Sequence, residues 1–251
     1  MTFNIELAGI PIQICCKYKI NKDFFVEYLT DRQPELTVIP AEEDIQRTKR
    51  VLEQMAEREG KQYSWFSDSC YLENNTIHAL ISEKLVPYNT LLFHGSALCM
   101  DGEAVIFTAP SGTGKSTQAR LWRELFGSRV QMINDDKPLI RTEDNKIIVY
   151  GSPWNGKHSL SSNISAPLKA ILLVTRSGKN RLEPLSRADA FETMIRQGYI
   201  SENPETRLKI LSMERLISET VPFYRMYCNL EREAAQTAWA GIQTGQYLSN
   251  P

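Results

Sequence analysis

Apolar and polar residues alternate with a period of two over Phe3–Leu7 and again over Ile10–Ile14, and Ala8-Gly9 between them marks a two-residue hairpin turn. Asn21–Leu29 has the spacing of a short helix, and Leu36–Ile39 reads as a strand that Pro40 ends. Over Glu42–Arg58 the pattern becomes that of a charged helix with Ile45, Val51, Leu52 and Met55 on one side, which predicts a surface amphipathic helix. Another helix, over Glu73–Leu85, stops before Pro87. From Leu91 the chain reads as one strand to Cys99, a tight turn at Asp101-Gly102, and a second strand to Thr108. A two-residue turn there pairs Met100 with Glu103, and the same register sets His94 opposite Ala109.

Ala104–Thr108 is apolar without alternation, the pattern of a strand buried on both faces, and it runs directly into a glycine-containing segment. Thr117–Phe126 then shows helical spacing of Ala119, Trp122 and Leu125 or Phe126, with Gly127 as its stop. Val130–Asn134 reads as the next strand. Leu139–Arg141 and Lys146–Tyr150 flank Thr142–Asn145 as a second hairpin, whose register returns the loop Gly151–His158 to the neighbourhood of Asp136. Leu168–Val174 is a buried strand, Ser186 caps a helix to about Gln197, and Asn203-Pro204 opens another that ends near Glu219. Val221–Cys228 is the last strand, and a terminal helix starts near Glu231. This order predicts an α/β core with a mixed sheet over residues 89–251 and a small α+β region over residues 1–88 packed on it.

Composition narrows the chemistry mainly by exclusion. The 251 residues carry a formal net charge of -1, without the basic field of a nucleic-acid binder, and no apolar run is long enough to span a bilayer. The first residues lack a basic stretch followed by a long apolar one, so a cytoplasmic protein is expected, with neither nucleic acid nor membrane as a partner. Cys15, Cys16, Cys70, Cys99 and Cys228 contain no C-x-x-C pair, and His78, His94 and His158 share no metal-ligand spacing.

The candidate chemistry lies in residues 109–117, Ala-Pro-Ser-Gly-Thr-Gly-Lys-Ser-Thr, between the buried strand and the helix. Strand, glycine loop and helix in that order describe a phosphate-binding loop. Ser111, Gly112, Thr113 and Gly114 would turn backbone N–H groups toward phosphate oxygens, Lys115 would put a cation on the β- and γ-phosphates, and Ser116 and Thr117 would open the helix, Ser116 with its hydroxyl on Mg²⁺. Ala109 stands where the strict form of the motif has glycine. A helix of about eleven residues descends roughly 16 Å, and a strand rising at about 3.3 Å per residue brings the chain back, so Asp135 and Asp136 return to the level of Lys115. An acidic pair there suits metal binding. ATP with Mg²⁺ is the expected ligand set.

His94-Gly95, the loop Ser111–Ser116 and Asn134-Asp135-Asp136 resemble the core of HPr kinase/phosphorylase, where an H-G strand, a phosphate loop and a D-D pair occur in this order. The loop and the D-D pair are also similar to ATP-dependent phosphoenolpyruvate carboxykinase, which shares that nucleotide-binding fold. With Tyr150–Lys157 and Pro222–Cys228, the arrangement looks like a small group of bacterial HPr-kinase-like proteins. The resemblance implies a carboxykinase-like, HPr-kinase-like P-loop core in which Asp135 is the base, Asp136 a magnesium ligand, directly or at one remove, and His94 a support for the γ-phosphate. Lys157 is the first choice for a further cation at the transition state, before Arg176 and Arg181. By analogy it also implies a homo-oligomer.

Two departures limit the transfer. The acidic magnesium ligand that HPr kinase carries after its D-D pair is replaced by Tyr150 and neighbours without a carboxylate, and the glycine-rich signature of true HPr kinases is absent. HPr itself is therefore not the implied substrate. Carboxykinase proper is far longer and needs metal-binding histidine and lysine residues that have no counterpart here. The expected activity is transfer of the γ-phosphoryl group to a hydroxyl, a serine of a protein or peptide. A small-molecule kinase of the same fold and a nucleotide-binding regulator that transfers nothing are the alternatives.

Overall fold

In a computed structural model the described residues are 1–58, 60, 68–144 and 146–244, and the chain divides between Leu85 and Val86 into two compact units. In the first, β1 (Thr2–Leu7) and β2 (Ile10–Cys15) form the expected hairpin, with Ala8 and Gly9 both at positive φ. That is the backbone of a two-residue turn matched to strand twist. β3 (Leu36–Val38) adds in parallel to β2. α1 (Lys19–Phe24), α2 (Glu42–Arg58) and α3 (Ser69–Leu85) complete the unit, with α3 lying against all of α1, α2 and β3. The apolar side expected of α2 is only partly used: Val51 and Met55 remain exposed, whereas Ala56 is buried.

The second unit is a mixed α/β fold. Its strands are β4 (Thr90–Leu92), β5 (Ser96–Met100), β6 (Glu103–Thr108), β7 (Val130–Asn134), β8 (Leu139–Glu143), β9 (Lys146–Tyr150), β10 (Ser165–Arg176), β11 (Arg181–Pro184) and β12 (Phe223–Cys228). The sheet order is β4-β8-β9-β10-β6-β5-β7; β12 attaches to β10, and β11 to β12. The twelve residues of β10 join two half-sheets. Ser165–Pro167 pair antiparallel with β9, while residues 168–173 run parallel to β6 and residues 171–176 parallel to β12. β11, a short antiparallel neighbour of β12, carries no apolar pattern and was not foreseen from the sequence.

Alternate side chains of the central strands serve two cores. Val105 and Phe107 of β6 and Leu172 and Val174 of β10 join α4 (Lys115–Phe126) and α7 (Arg232–Thr244) on one face. Ala104, Ile106 and Ile171 join α5 (Arg187–Gln197) and α6 (Pro204–Thr220) on the other. Burial on both sides is why these strands read as unbroken apolar runs. Fully buried Trp122 fixes α4 by edge-on contacts with Phe107, Phe126 and Trp239, with ring centroids 5.4, 5.5 and 5.7 Å away. Each such pair adds about 0.5–1.5 kcal/mol to the area buried. Ser186 and Asn203 cap α5 and α6 as expected, accepting from the N–H of Asp189 and from those of Glu205 and Thr206.

Three expectations are corrected. The strand foreseen over 91–99 is two strands: β4 pairs with β8, β5 pairs with β6 and β7, and Phe93–Gly95 crosses between the half-sheets. The β5–β6 hairpin keeps the foreseen Met100–Glu103 register but ends at the Ser96–Phe107 pair, so His94 is not paired with Ala109. Gly95 permits the departure, because a Cβ there would lie 2.7 Å from Ile106 Cγ2 and 2.9 Å from the Phe107 carbonyl. The second hairpin is tighter than expected, with Glu143 paired to Lys146 and Asp144 at positive φ; Asn145, part of the foreseen turn, lies outside the described residues. Among the described residues, no helix is long and apolar enough to cross a membrane.

Candidate functional site

The site is built where the parallel strands β6, β10 and β12 end, the edge at which open α/β sheets bind ligands. Beyond β6, residues 109–114 curl over the start of α4, with Gly112 at φ 76° and Gly114 at φ 129°. Side chains seldom adopt either value, which accounts for both glycines. The Thr113 N–H and hydroxyl both donate to the Pro110 carbonyl, at 3.3 and 2.8 Å. The Gln118 N–H donates to the Gly114 carbonyl, so the N–H groups of the first turn of α4 have no partner within the helix. Ser111 and Gly112 are exposed, and Ser116 and Thr117 are half-buried in that first turn.

Lys115 is buried and folds back on the loop, its Nζ donating to the Ala109 carbonyl at 2.9 Å. Burial lowers its pKa, opposed by the charges of Asp136 and Asp135 and assisted by that of Lys137. The cation and the two carboxylates therefore share one electrostatic neighbourhood, as the arithmetic of helix and strand lengths anticipated.

Asp135 and Asp136 follow β7 in a turn organised by Asn134, which is fully buried. Asn134 Oδ1 accepts the N–H groups of Asp136 and Lys137, at 2.8 and 2.6 Å, while its amide donates to Ser152 and to the Trp154 carbonyl. Ser152 returns a bond to the Lys137 carbonyl. The loop after β9 is thereby tied to the acidic turn, and Gly156 comes so close to Asp136 that a Cβ on it would lie 3.0 Å from the Asp136 Cβ. The Asp135 N–H donates to the Leu160 carbonyl, and its Oδ1 accepts the hydroxyl of buried Ser96 at 2.6 Å. Among the described residues, no group donates to its second oxygen.

His94 enters from the crossover between β4 and β5. Its main-chain N–H donates to the Gln197 carbonyl at the end of α5, and its carbonyl accepts the Thr108 hydroxyl. Nδ1 lies 3.0 Å from Gln197 Oε1, a bond donated by the tautomer with its proton on Nδ1, and Nε2 lies 3.6 Å from Asp136 Oδ1. The next N–H, of Gly95, donates to the Asp136 carbonyl. Burial, then the charges of Lys137 and Lys115, push the His94 pKa down to about 4 against the pull of Asp136 and Gln197, so the ring is neutral at pH 7.

The structure thus gathers His94, Lys115, Asp135, Asp136 and the loop. Lys157, in a 3-10 turn next to Gly156, is exposed to solvent. Arg176 donates to two loop carbonyls, and Arg181 stacks on Tyr227 and pairs with Glu183. Tyr150 belongs to the Arg141–Glu143 neighbourhood, where burial and then Glu143 raise its pKa. Ser96, Gln197, Ser152 and Lys137 escaped the sequence reading. The run His94-Gly95-Ser96 carried a signal for Ser96, but its use needs the β5–β7 pairing, in which Ala97 faces Asn134.

Searched against curated proteins, the chain has no match. Among solved structures it is similar to the Hpr(Ser) kinase/phosphatase from Coxiella burnetii, with 11% identity over 61% of this chain and 88% of that one and a TM-score of 0.39. The family model described as "ScmC: SynChlorMet cassette protein ScmC" matches residues 67–236, well over half of the chain. With the strand–loop–helix, the acidic turn and the crossover histidine all inside that span, the chain belongs to the ScmC family of SynChlorMet cassette proteins.

Proposed function

We propose that this protein transfers the γ-phosphoryl group of Mg²⁺-bound ATP to a hydroxyl, with a serine of a protein or peptide as the acceptor. The observation that carries the reading is Asp135: a buried carboxylate with one oxygen fixed by Ser96 and the other without a described donor, beside a glycine loop and a buried lysine. That remaining oxygen is available to accept a proton from a hydroxyl brought beside it.

The residues fit the group. N–H groups at the start of α4 without an acceptor in the helix and two positive-φ glycines suit phosphate oxygens, and Lys115 can exchange the Ala109 carbonyl for them. Ser116 and Asp136 would hold Mg²⁺, which would neutralise charge on the β- and γ-oxygens. Asp135 would accept the acceptor's proton while the acceptor oxygen bonds to the γ-phosphorus and the bond to the β-phosphate oxygen breaks. An anionic group arriving beside His94 favours its protonated form, and Nε2–H could then donate to it. Positioning and charge neutralisation are what phosphoryl transfer chiefly asks of a protein. The sequence resemblance to HPr kinase supports the same roles for the same residues.

Incubation with ATP, Mg²⁺ and candidate acceptor proteins or peptides, read by intact mass, tests the proposal. One added phosphoryl group on an acceptor is expected. ATP bound tightly with no transfer to any acceptor would favour a nucleotide-binding regulator.

A further inference from the structure

Arg176 is the last residue of β10, and its position follows from register. β10 runs parallel to β6 with Leu173 beside Thr108, so three further residues carry it past the end of β6 to the height of the glycine loop. Side chains alternate along a strand, so Arg176 projects to the same face as Leu172 and Val174, the face that α4 covers. There its Nε donates to the Thr113 carbonyl at 3.0 Å and its Nη2 to the Gly112 carbonyl at 2.5 Å.

Two successive carbonyls of the glycine loop are thus held by one planar fork. In a trans peptide the C=O and the following N–H point in opposite directions. Turning the Gly112 and Thr113 carbonyls toward Arg176 therefore turns the N–H groups of Thr113 and Gly114 away from it. The Thr113 N–H is taken by the Pro110 carbonyl, and that of Gly114, like the N–H groups of the first turn of α4, has no backbone partner among the described residues.

We propose that Arg176 is a positioning residue that sets the glycine loop in its anion-receiving shape before any ligand arrives, rather than a cation that meets the transferred phosphoryl group. This rests on reading the loop as a phosphate site. It separates geometry from charge: an ammonium at this position keeps the charge but loses the fork that grips two adjacent carbonyls.

The test compares Arg176→Ala and Arg176→Lys with the unaltered full chain in three measurements: exchange of the Thr113 amide proton in the free protein, affinity for Mg²⁺-ATP, and maximal transfer rate. Faster Thr113 exchange in both variants is expected, with affinity about tenfold weaker in both and the maximal rate within about twofold of the unaltered chain. Unchanged exchange in both variants would overturn the proposal, as would full recovery by lysine or a lost maximal rate at unaltered affinity. Failure of the unaltered chain to bind Mg²⁺-ATP would refute the phosphate reading, while the exchange arm still decides whether Arg176 shapes the loop.

Discussion

Glu73 in the first unit and Asp135 in the second are almost equally buried, at 4% and 5% exposure, yet they are treated in opposite ways. Glu73 Oε1 accepts the Lys17 N–H at 2.6 Å, and Oε2 accepts the Tyr18 N–H at 3.1 Å and the Asn21 amide at 2.6 Å. Both oxygens are used, and the carboxylate fastens the segment after β2 and α1 to α3. Among the described residues, the Asp135 carboxylate accepts from Ser96 alone. Burial alone therefore does not mark a functional carboxylate; what sets Asp135 apart is an oxygen left over beside the glycine loop and Lys115.

The largest stability effect is expected at the saturated carboxylate. Glu73→Ala leaves three donors without their acceptor and should cost about 3–5 kcal/mol in denaturant unfolding, with ligand binding per folded molecule unaltered. A loss below about 1 kcal/mol would mean that water replaces the carboxylate and that the contrast with Asp135 is weaker than drawn.

Glu214 of α6 sharpens the comparison from the other side. It is 2% exposed and lies where a Cβ on Gly198 would touch it, and burial raises its pKa to about 7 against the opposing charge of Arg207. Because the folded protein favours the protonated form, the stability it contributes is present below about pH 4.5 and lost as pH rises through about 7. Glu214→Gln should therefore stabilise the protein by about 2–3 kcal/mol at pH 8 and by nothing at pH 4. Unfolding free energies measured across that range check the slope, and a gain equal at both ends would contradict it.

The smallest effect is expected from Ser96→Ala. Removing the one described donor to Asp135 should cost about 1 kcal/mol of stability and slow transfer about tenfold, because the carboxylate keeps its charge but loses its orientation. Equal rates in the two proteins would mean that Ser96 does not position Asp135.

Much of this arrangement was legible in the sequence where local rules act. The Ala8-Gly9 and Asp101-Gly102 turns, the Ser186 and Asn203 caps, and the strand–loop–helix around Gly112 and Gly114 each depend on a few adjacent residues, and each is present. Pairings between distant segments were not legible. The break at Phe93–Gly95 arises because β4 and β5 pair in different half-sheets, and His94-Gly95-Ser96 within 91–99 does not by itself announce that. Gln197 is 103 residues from His94, and Ser96 meets Asp135 only through the β5–β7 ladder. Arg176 was read as a candidate cation, but its use depends on β10 outrunning β6 by three residues, a consequence of register. Lys157 had only its place in a glycine-containing loop to recommend it, and it faces solvent.

The central claim is that the spare oxygen of Asp135 takes a proton during phosphoryl transfer from a nucleotide held at the glycine loop. Water can stand in for the unknown acceptor, so the most direct measurement is Mg²⁺-ATP affinity together with phosphate release, in the unaltered chain and in Asp135→Asn. The expected result is nucleotide affinity within a few-fold in the two proteins, with release at least about 10²-fold slower in Asp135→Asn. Equal release from both proteins, or no nucleotide binding by the unaltered chain, would contradict it.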